Sequence, residues 1–116
     1  MRRDARLYII DILESIEAIE EYTKEIDKNH LEADKLTQDA VLRRLEIIGE
    51  AAKNIPSNIT DKYPQIPWKK ISGLRDVLIH SYFGVNIERI WRVIADDLQS
   101  LKEATHRMKK EIDSKE

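Results

Sequence analysis

The chain has 116 residues, of which 41% are hydrophobic and 36% charged, and its formal net charge is −2. It contains no cysteine, which excludes a disulfide framework and a thiolate metal site, and its three glycines and three prolines are too few for the turns of a β-sandwich or barrel. No apolar run approaches the ~20 residues that span a bilayer, and no apolar stretch follows Met1-Arg2-Arg3-Asp4 as in a signal peptide, so we expect a cytoplasmic protein.

Two amphipathic helices are predicted in the first half of the chain. Apolar residues recur at steps of three or four over residues 5–28, and Asn29 and His30 are expected to end that helix. A second helix is predicted from about Thr37 to Asn54, again with one apolar stripe. Each stripe needs another helix to cover it, so both helices are expected to contribute to a core.

The second half of the chain begins with a predicted loop over residues 56–67, which holds all three prolines. A third helix is predicted over residues 67–83, and a fourth starts after Asn86, a residue type suited to the N-cap. The polar composition predicts a frayed tail over residues 109–116. With no strand pattern, the sequence predicts an all-α, antiparallel bundle of four or five helices forming a single domain over residues 1–116.

Charge is distributed unevenly along the chain. Residues 1–40 carry 6 basic and 11 acidic groups, residues 41–95 carry 9 and 5, and residues 96–116 carry 5 and 6. Any contact with an anion is therefore expected through the positive middle segment. From charge alone, a chance distribution of solvated side chains is the simpler explanation.

The stretch GLRDVLIHSY, residues 73–82, mixes apolar residues with Arg75, Asp76, His80 and Tyr82. On an ideal helix Asp76 and His80 share a face, whereas Arg75 and His80 lie about 140° apart. A carboxylate can fix the tautomer of a neighbouring histidine, so Asp76 is a candidate orienting residue for His80. By spacing alone, however, a surface Asp–His pair beside an arginine in a salt bridge is the simpler explanation.

The pattern Arg75-x4-His80-x-Tyr82 resembles the signature of the HEPN superfamily, in the tyrosine-bearing form of the HepT-type toxins of prokaryotes. Three blocks resemble that family in the same order along the chain: LEIIGEAAKNI (45–55), YPQIPWKKISGLRDVLIHSYFGV (63–85) and IWRVIADDLQSL (90–101). The resemblance extends over essentially the whole chain.

The resemblance implies a HEPN-like helical bundle that forms a homodimer. It implies that Arg75 and His80 of both protomers meet in a cleft at the dimer interface and cleave RNA without a metal or other cofactor. It also implies a minimal nucleotidyltransferase antitoxin as partner, which adds AMP to Tyr82. Asp76 stands where the family commonly has asparagine, and it places a negative charge beside a phosphate site.

The residues are compatible with this chemistry, because RNA supplies its own nucleophile, the ribose 2′-hydroxyl. Four basic residues of the middle segment are candidate RNA contacts: Lys69, Lys70, Arg43 and Arg44. The same segment carries Lys53, Arg89 and Arg92, and the sequence does not show which of these cations contact RNA.

Two alternatives remain open at this stage. One is a non-catalytic module that docks a nucleotidyltransferase or holds a nucleotide, in which Arg75 only binds phosphate. The other is a purely structural, dimerising bundle.

Overall fold

A computed structural model describes residues 4–74 and 86–114 of the chain, and all regular structure within these ranges is helical. The elements are α1 (Ala5–Thr23), α2 (Lys28–Ala33), α3 (Lys35–Lys53), α4 (Ser57–Thr60), α5 (Trp68–Ser72), α6 (Ile87–Arg92) and α7 (Leu98–Ser114), with a π-helical turn (Val93–Asp97) joining α6 to α7. The prediction of an all-α helical bundle is confirmed.

The bundle is organised around α1, which packs against α3 on one side and α7 on another. Ile9, Ile12, Ile16 and Ile19 of α1 are completely buried, as the three-to-four spacing requires. On the facing helices, the buried apolar residues include Val41, Leu45 and Ile48 of α3 and Leu98, Leu101 and Met108 of α7. These residues belong to one cluster.

The first predicted helix ends earlier than expected. α1 stops at Thr23, and a separate short helix, α2, begins after Asp27, whose side chain accepts a hydrogen bond from the His30 backbone N–H at 2.8 Å. Asp34 then caps α3, because its carboxylate accepts hydrogen bonds from both the backbone N–H and the hydroxyl of Thr37. These hydrogen bonds also lower the pKa of Asp34. The Asp27 cap therefore starts a new helix within the range that hydrophobic periodicity assigns to the first one, and the Asp34 cap starts the second predicted helix.

The proline-rich loop contains one short helix, α4, and two buried anchors, Tyr63 and Ile66. The third predicted helix begins as expected, with Pro67 directly before α5. The predicted continuation of that helix to residue 83 lies outside the described residues.

α6, the π-helical turn and α7 form the last helical rod of the chain. This rod begins as predicted, since the Asn86 side chain accepts a hydrogen bond from the Arg89 backbone N–H at 3.1 Å. Its end differs from the expected frayed tail, because α7 continues to Ser114. The extension has long-range partners: the Tyr63 hydroxyl donates to Glu111 at 2.9 Å, Arg6 lies 3.4 Å from Asp113, and Ile112 packs on the core. These contacts attach the end of α7 to the rest of the bundle, which the polar composition of the tail does not reveal.

None of the helices in the described ranges has the length and apolar character needed to cross a membrane.

Candidate functional site

The candidate catalytic segment, residues 75–85, follows α5 and precedes α6 in the chain. Arg75, Asp76, His80 and Tyr82 themselves lie outside the described residues. The described chain ends on one side at Leu74, which is buried, and resumes on the other side at Asn86, which is exposed. The described residues nearest to this segment in the chain are those of the two flanking elements, α5 and α6.

A cavity of about 390 Å³ lies between these flanking elements, and it is lined mainly by charged side chains. We call it the basic groove and define it by its lining: Lys70, Asn86, Glu88, Arg89, Arg92 and Val93. Lys70 comes from the element that precedes residues 75–85, and the other five come from the rod that follows them. The groove thus lies between the described elements that precede and follow the candidate catalytic segment in the chain.

Glu88, the one acidic residue among the described residues that line the basic groove, already forms ion pairs with cations. Its carboxylate oxygens lie 2.6 Å from Lys28 Nζ and 3.9 Å from Arg92 Nε. The hydrogen bond and charge of Lys28 lower the pKa of Glu88, and the same contact raises the pKa of Lys28. Since α2 packs against α6, this ion pair follows from the tertiary fold.

Lys70 is held in the groove by Asp97, whose carboxylate lies 2.8 Å from Lys70 Nζ. Asp97 is the last residue of the π-helical turn. A π turn accommodates one extra residue, which rotates the following residues by about 100° relative to an uninterrupted α-helix, and such turns are frequent at functional sites. The irregularity in the last rod therefore coincides with a contact to the groove.

Of the other predicted RNA contacts, Arg43 lies in a different environment. It lines a second cavity, of about 430 Å³, between α1 and α3, together with the acidic residues Asp11, Glu46 and Glu50. Arg43 is also 3.6 Å from the Glu46 carboxylate. This lining differs from that of the basic groove, where cations outnumber carboxylates among the described residues. Arg44 and Lys69 line neither cavity.

Neither tryptophan lines the basic groove. Trp68 and Trp91 are half-buried and pack against the core, and Trp68 donates its indole N–H to the Tyr63 carbonyl at 3.1 Å. This agrees with their helical spacing, and none of the described residues that line the groove is aromatic.

Comparison with known proteins identifies the family. The model of the family described as "Ribonuclease HepT-like" matches residues 12–108. The chain belongs to the HepT-like ribonuclease family.

Two relatives are similar over nearly the whole of this HepT-like chain. A "Probable ribonuclease HepT" from Thermococcus cleftensis is 46% identical over 110 residues, which cover 95% of the chain and 100% of that protein. A "Gamma-glutamylcyclotransferase and putative RNase" from Methanocaldococcus jannaschii is 48% identical over 113 residues, or 97% of the chain. The chain spans about half (51%) of the second relative's length. No solved structure matches the chain significantly.

The two arginines of the basic groove were not distinguished by sequence reasoning from the other cations of the positive segment. A signal was available, since Arg89 and Arg92 are three residues apart and such residues share one face of a helix. What the sequence does not contain is the position of Lys70 and Lys28 relative to that face. Acidic residues offer no alternative site: over 4–74 and 86–114, no group of three or more metal-binding side chains lies close enough to hold an ion.

Proposed function

We propose that this HepT-like protein is a metal-independent endoribonuclease and the toxin of a two-gene toxin–antitoxin system in the cytoplasm. The observation that carries the proposal is the motif Arg75-x4-His80-x-Tyr82 within a chain that the HepT-like ribonuclease model matches over residues 12–108. The relatives named as ribonucleases support RNA as the substrate.

The proposed reaction is attack of the ribose 2′-hydroxyl on the adjacent phosphorus. The new P–O bond forms as the bond to the 5′-oxygen breaks, which leaves a 2′,3′-cyclic phosphate and a 5′-hydroxyl end. One group must take the proton of the 2′-hydroxyl and another must give a proton to the leaving oxygen, and histidine serves both roles near neutral pH. Arg75 stays charged and offers two parallel N–H groups to the phosphate oxygens.

A homodimer is part of the proposal, because one chain offers a single motif histidine where the reaction uses an acid and a base. Two copies of His80 and Arg75 across an interface would supply both proton transfers and the charge on the phosphorane. Asp76 is proposed to orient His80 through one ring nitrogen. Positioned acid–base groups contribute on the order of 10²–10⁴ to the rate.

The direct test is cleavage of purified tRNA and mRNA in EDTA by wild type, His80→Ala and Arg75→Gln. We expect wild type to give fragments ending in a cyclic phosphate, and both variants to lose at least 10²-fold in rate while keeping their helical content and oligomeric state. Expression without a partner should arrest growth for wild type and not for His80→Ala. Cleavage by His80→Ala at the wild-type rate would contradict the assignment.

Neutralisation is proposed to occur by AMPylation of Tyr82 by a minimal nucleotidyltransferase encoded beside this gene. The tyrosine oxygen would attack the α-phosphorus of ATP and displace pyrophosphate, which places a bulky anion two residues from His80. Co-expression with that enzyme should raise the intact mass by whole AMP units in wild type and not in Tyr82→Phe. An unchanged wild-type mass would count against this mode of regulation.

The alternative is a non-catalytic module that docks a nucleotidyltransferase or holds a nucleotide. Such a protein would be harmless when expressed alone and would cut neither tRNA nor mRNA in EDTA. The cleavage assay therefore separates the two functions.

A further inference from the structure

We propose that the basic groove is a binding site for the sugar–phosphate backbone of single-stranded RNA, where it holds nucleotides that flank the scissile bond. This inference rests on the proposed ribonuclease function for its substrate class. It assigns substrate binding to Lys70, Arg89 and Arg92.

The first argument is charge. Among the described residues that line the groove, the three cations Lys70, Arg89 and Arg92 outnumber the one carboxylate, Glu88, by two positive charges. Over the chain as a whole the net charge is −2, so the surplus is local. A phosphodiester would find net attraction to these side chains.

The second argument is the availability of donors. Arg89 is exposed, and its side chain makes no ion pair or hydrogen bond with any residue in the described ranges. Arg92 has a side chain that is 70% exposed and only a long contact, 3.9 Å, to Glu88. Arg89 and Arg92 are three positions apart in α6, so their guanidinium groups lie on the same face of the helix. Each can donate a pair of N–H groups to a phosphate.

The third argument is the position of the groove in the chain. Lys70 precedes the motif arginine, Arg75, by five residues, and Asn86 follows His80 by six. A backbone bound between α5 and α6 therefore contacts the elements that directly precede and follow, in the chain, the segment that is proposed to cut it. The π-helical turn also contacts the groove, because its last residue, Asp97, forms an ion pair with Lys70.

The lining also indicates the mode of recognition. None of the described residues that line the groove is aromatic and able to stack on a base, and the cations of the groove are suited to phosphates. The groove should therefore bind RNA without regard to sequence, and the choice of cleavage site must come from elsewhere.

The test measures binding of a fluorescent single-stranded oligoribonucleotide at several salt concentrations, with all proteins in a His80→Ala background. We expect Arg89→Gln/Arg92→Gln to weaken binding roughly tenfold near physiological salt, and to lower the slope of log affinity against log salt by about 1.4, or 0.7 for each lost contact. The loss should be equal for oligonucleotides of different sequence. The double lysine variant Arg89→Lys/Arg92→Lys should retain most of the binding.

Two further variants serve as controls. Arg107→Gln/Lys110→Gln removes two exposed cations with the same three-residue spacing from α7, and it should leave binding unchanged. Glu88→Gln removes the carboxylate of the groove and should strengthen binding a few-fold and steepen the salt dependence. A gain of affinity cannot result from misfolding, so this variant keeps the proposal testable if the arginine variants are unstable.

The inference is overturned if Arg89→Gln/Arg92→Gln binds RNA like the parent, or if the α7 control loses as much affinity. Loss of binding to the nucleotidyltransferase with RNA binding intact would assign the groove to the protein partner instead. These outcomes are independent of catalysis: if otherwise wild-type protein binds RNA through the groove but never cleaves it, the ribonuclease proposal fails and the groove assignment stands.

Discussion

Asn86 occupies two roles at once, and substitutions there should separate fold stability from RNA binding. Its side chain caps α6 by accepting a hydrogen bond from the Arg89 N–H, and the same residue lines the basic groove. Asn86→Ala removes the cap and adds no charge. Asn86→Asp keeps an acceptor of equal capping strength but adds a carboxylate to the groove.

The magnitudes follow from these two roles. Loss of an N-cap acceptor costs about 1 kcal/mol, within a range of roughly 0.5–2. For a chain of this size that corresponds to a fall of about 4 °C in Tm, or about 0.5 M in the urea midpoint if m is about 2 kcal/mol per M. The free energy of unfolding of Asn86→Asp should be within about 0.5 kcal/mol of the wild-type value, since a negative charge is also favourable at the start of a helix.

RNA binding should show a different order. Asn86→Asp halves the surplus of two positive charges around the groove, so we expect its affinity for a single-stranded oligoribonucleotide to fall by a factor of about three to ten, with a shallower salt dependence. Asn86→Ser, which caps without charge, should match wild type in both measurements. Asn86→Ala should lose stability with a smaller effect on binding.

The assays are urea unfolding followed by far-UV circular dichroism, at one fixed protein concentration because association would shift the midpoint, and fluorescence anisotropy for binding. Equal affinity of Asn86→Asp and Asn86→Ser for RNA would refute the charge argument for the groove. Equal stability of Asn86→Ala and Asn86→Ser would refute the role of the cap.

Two further predictions concern the bundle. Burial raises the pKa of Tyr63, and the hydrogen bond to Glu111 raises it further. The stability that the neutral phenol contributes is complete below the unfolded-state pKa near 10 and is lost as the pH rises through the folded-state pKa. Tyr63→Phe should therefore flatten the fall of stability above pH ~10 in urea unfolding, and an unchanged pH profile would contradict this. Ile16 is completely buried whereas Leu7 is 43% exposed; Ile16→Ala should cost about 2–5 kcal/mol and Leu7→Ala less than about 0.5 in the same assay, and similar costs would show that α1 does not pack as described.

Helix content and the core could be predicted because both follow from local rules. The buried isoleucines of α1 and the buried leucines of α7 repeat with the helical period, which needs no knowledge of the partner surface. Helix ends were less predictable. The division between α1 and α2 depends on the side chain of Asp27, and the extension of α7 to Ser114 depends on partners 48 and more residues away.

The candidate site divides in the same way. The chemical groups, Arg75, His80 and Tyr82, were recognised from their spacing and from the blocks that surround them, and their assignment as catalytic and modified residues stays a prediction. The candidate RNA contacts were proposed only as members of a positive segment. Arg43 and Lys70 have the same sign of charge, and only the fold shows that Arg43 lies 3.6 Å from the Glu46 carboxylate whereas Lys70 lines the basic groove.

The sequence by itself determined that the chain forms amphipathic helices, where the last rod begins, and which family the chain resembles, because periodicity, caps and motifs are properties of neighbouring residues. Only the tertiary structure decided which charges meet. Lys28 and Glu88 are 60 residues apart in the chain and 2.6 Å apart in space, and Lys70 reaches Asp97 across 27 residues. The electrostatic potential at a surface is a sum over charges weighted by their distances, and those distances are set by how the helices pack.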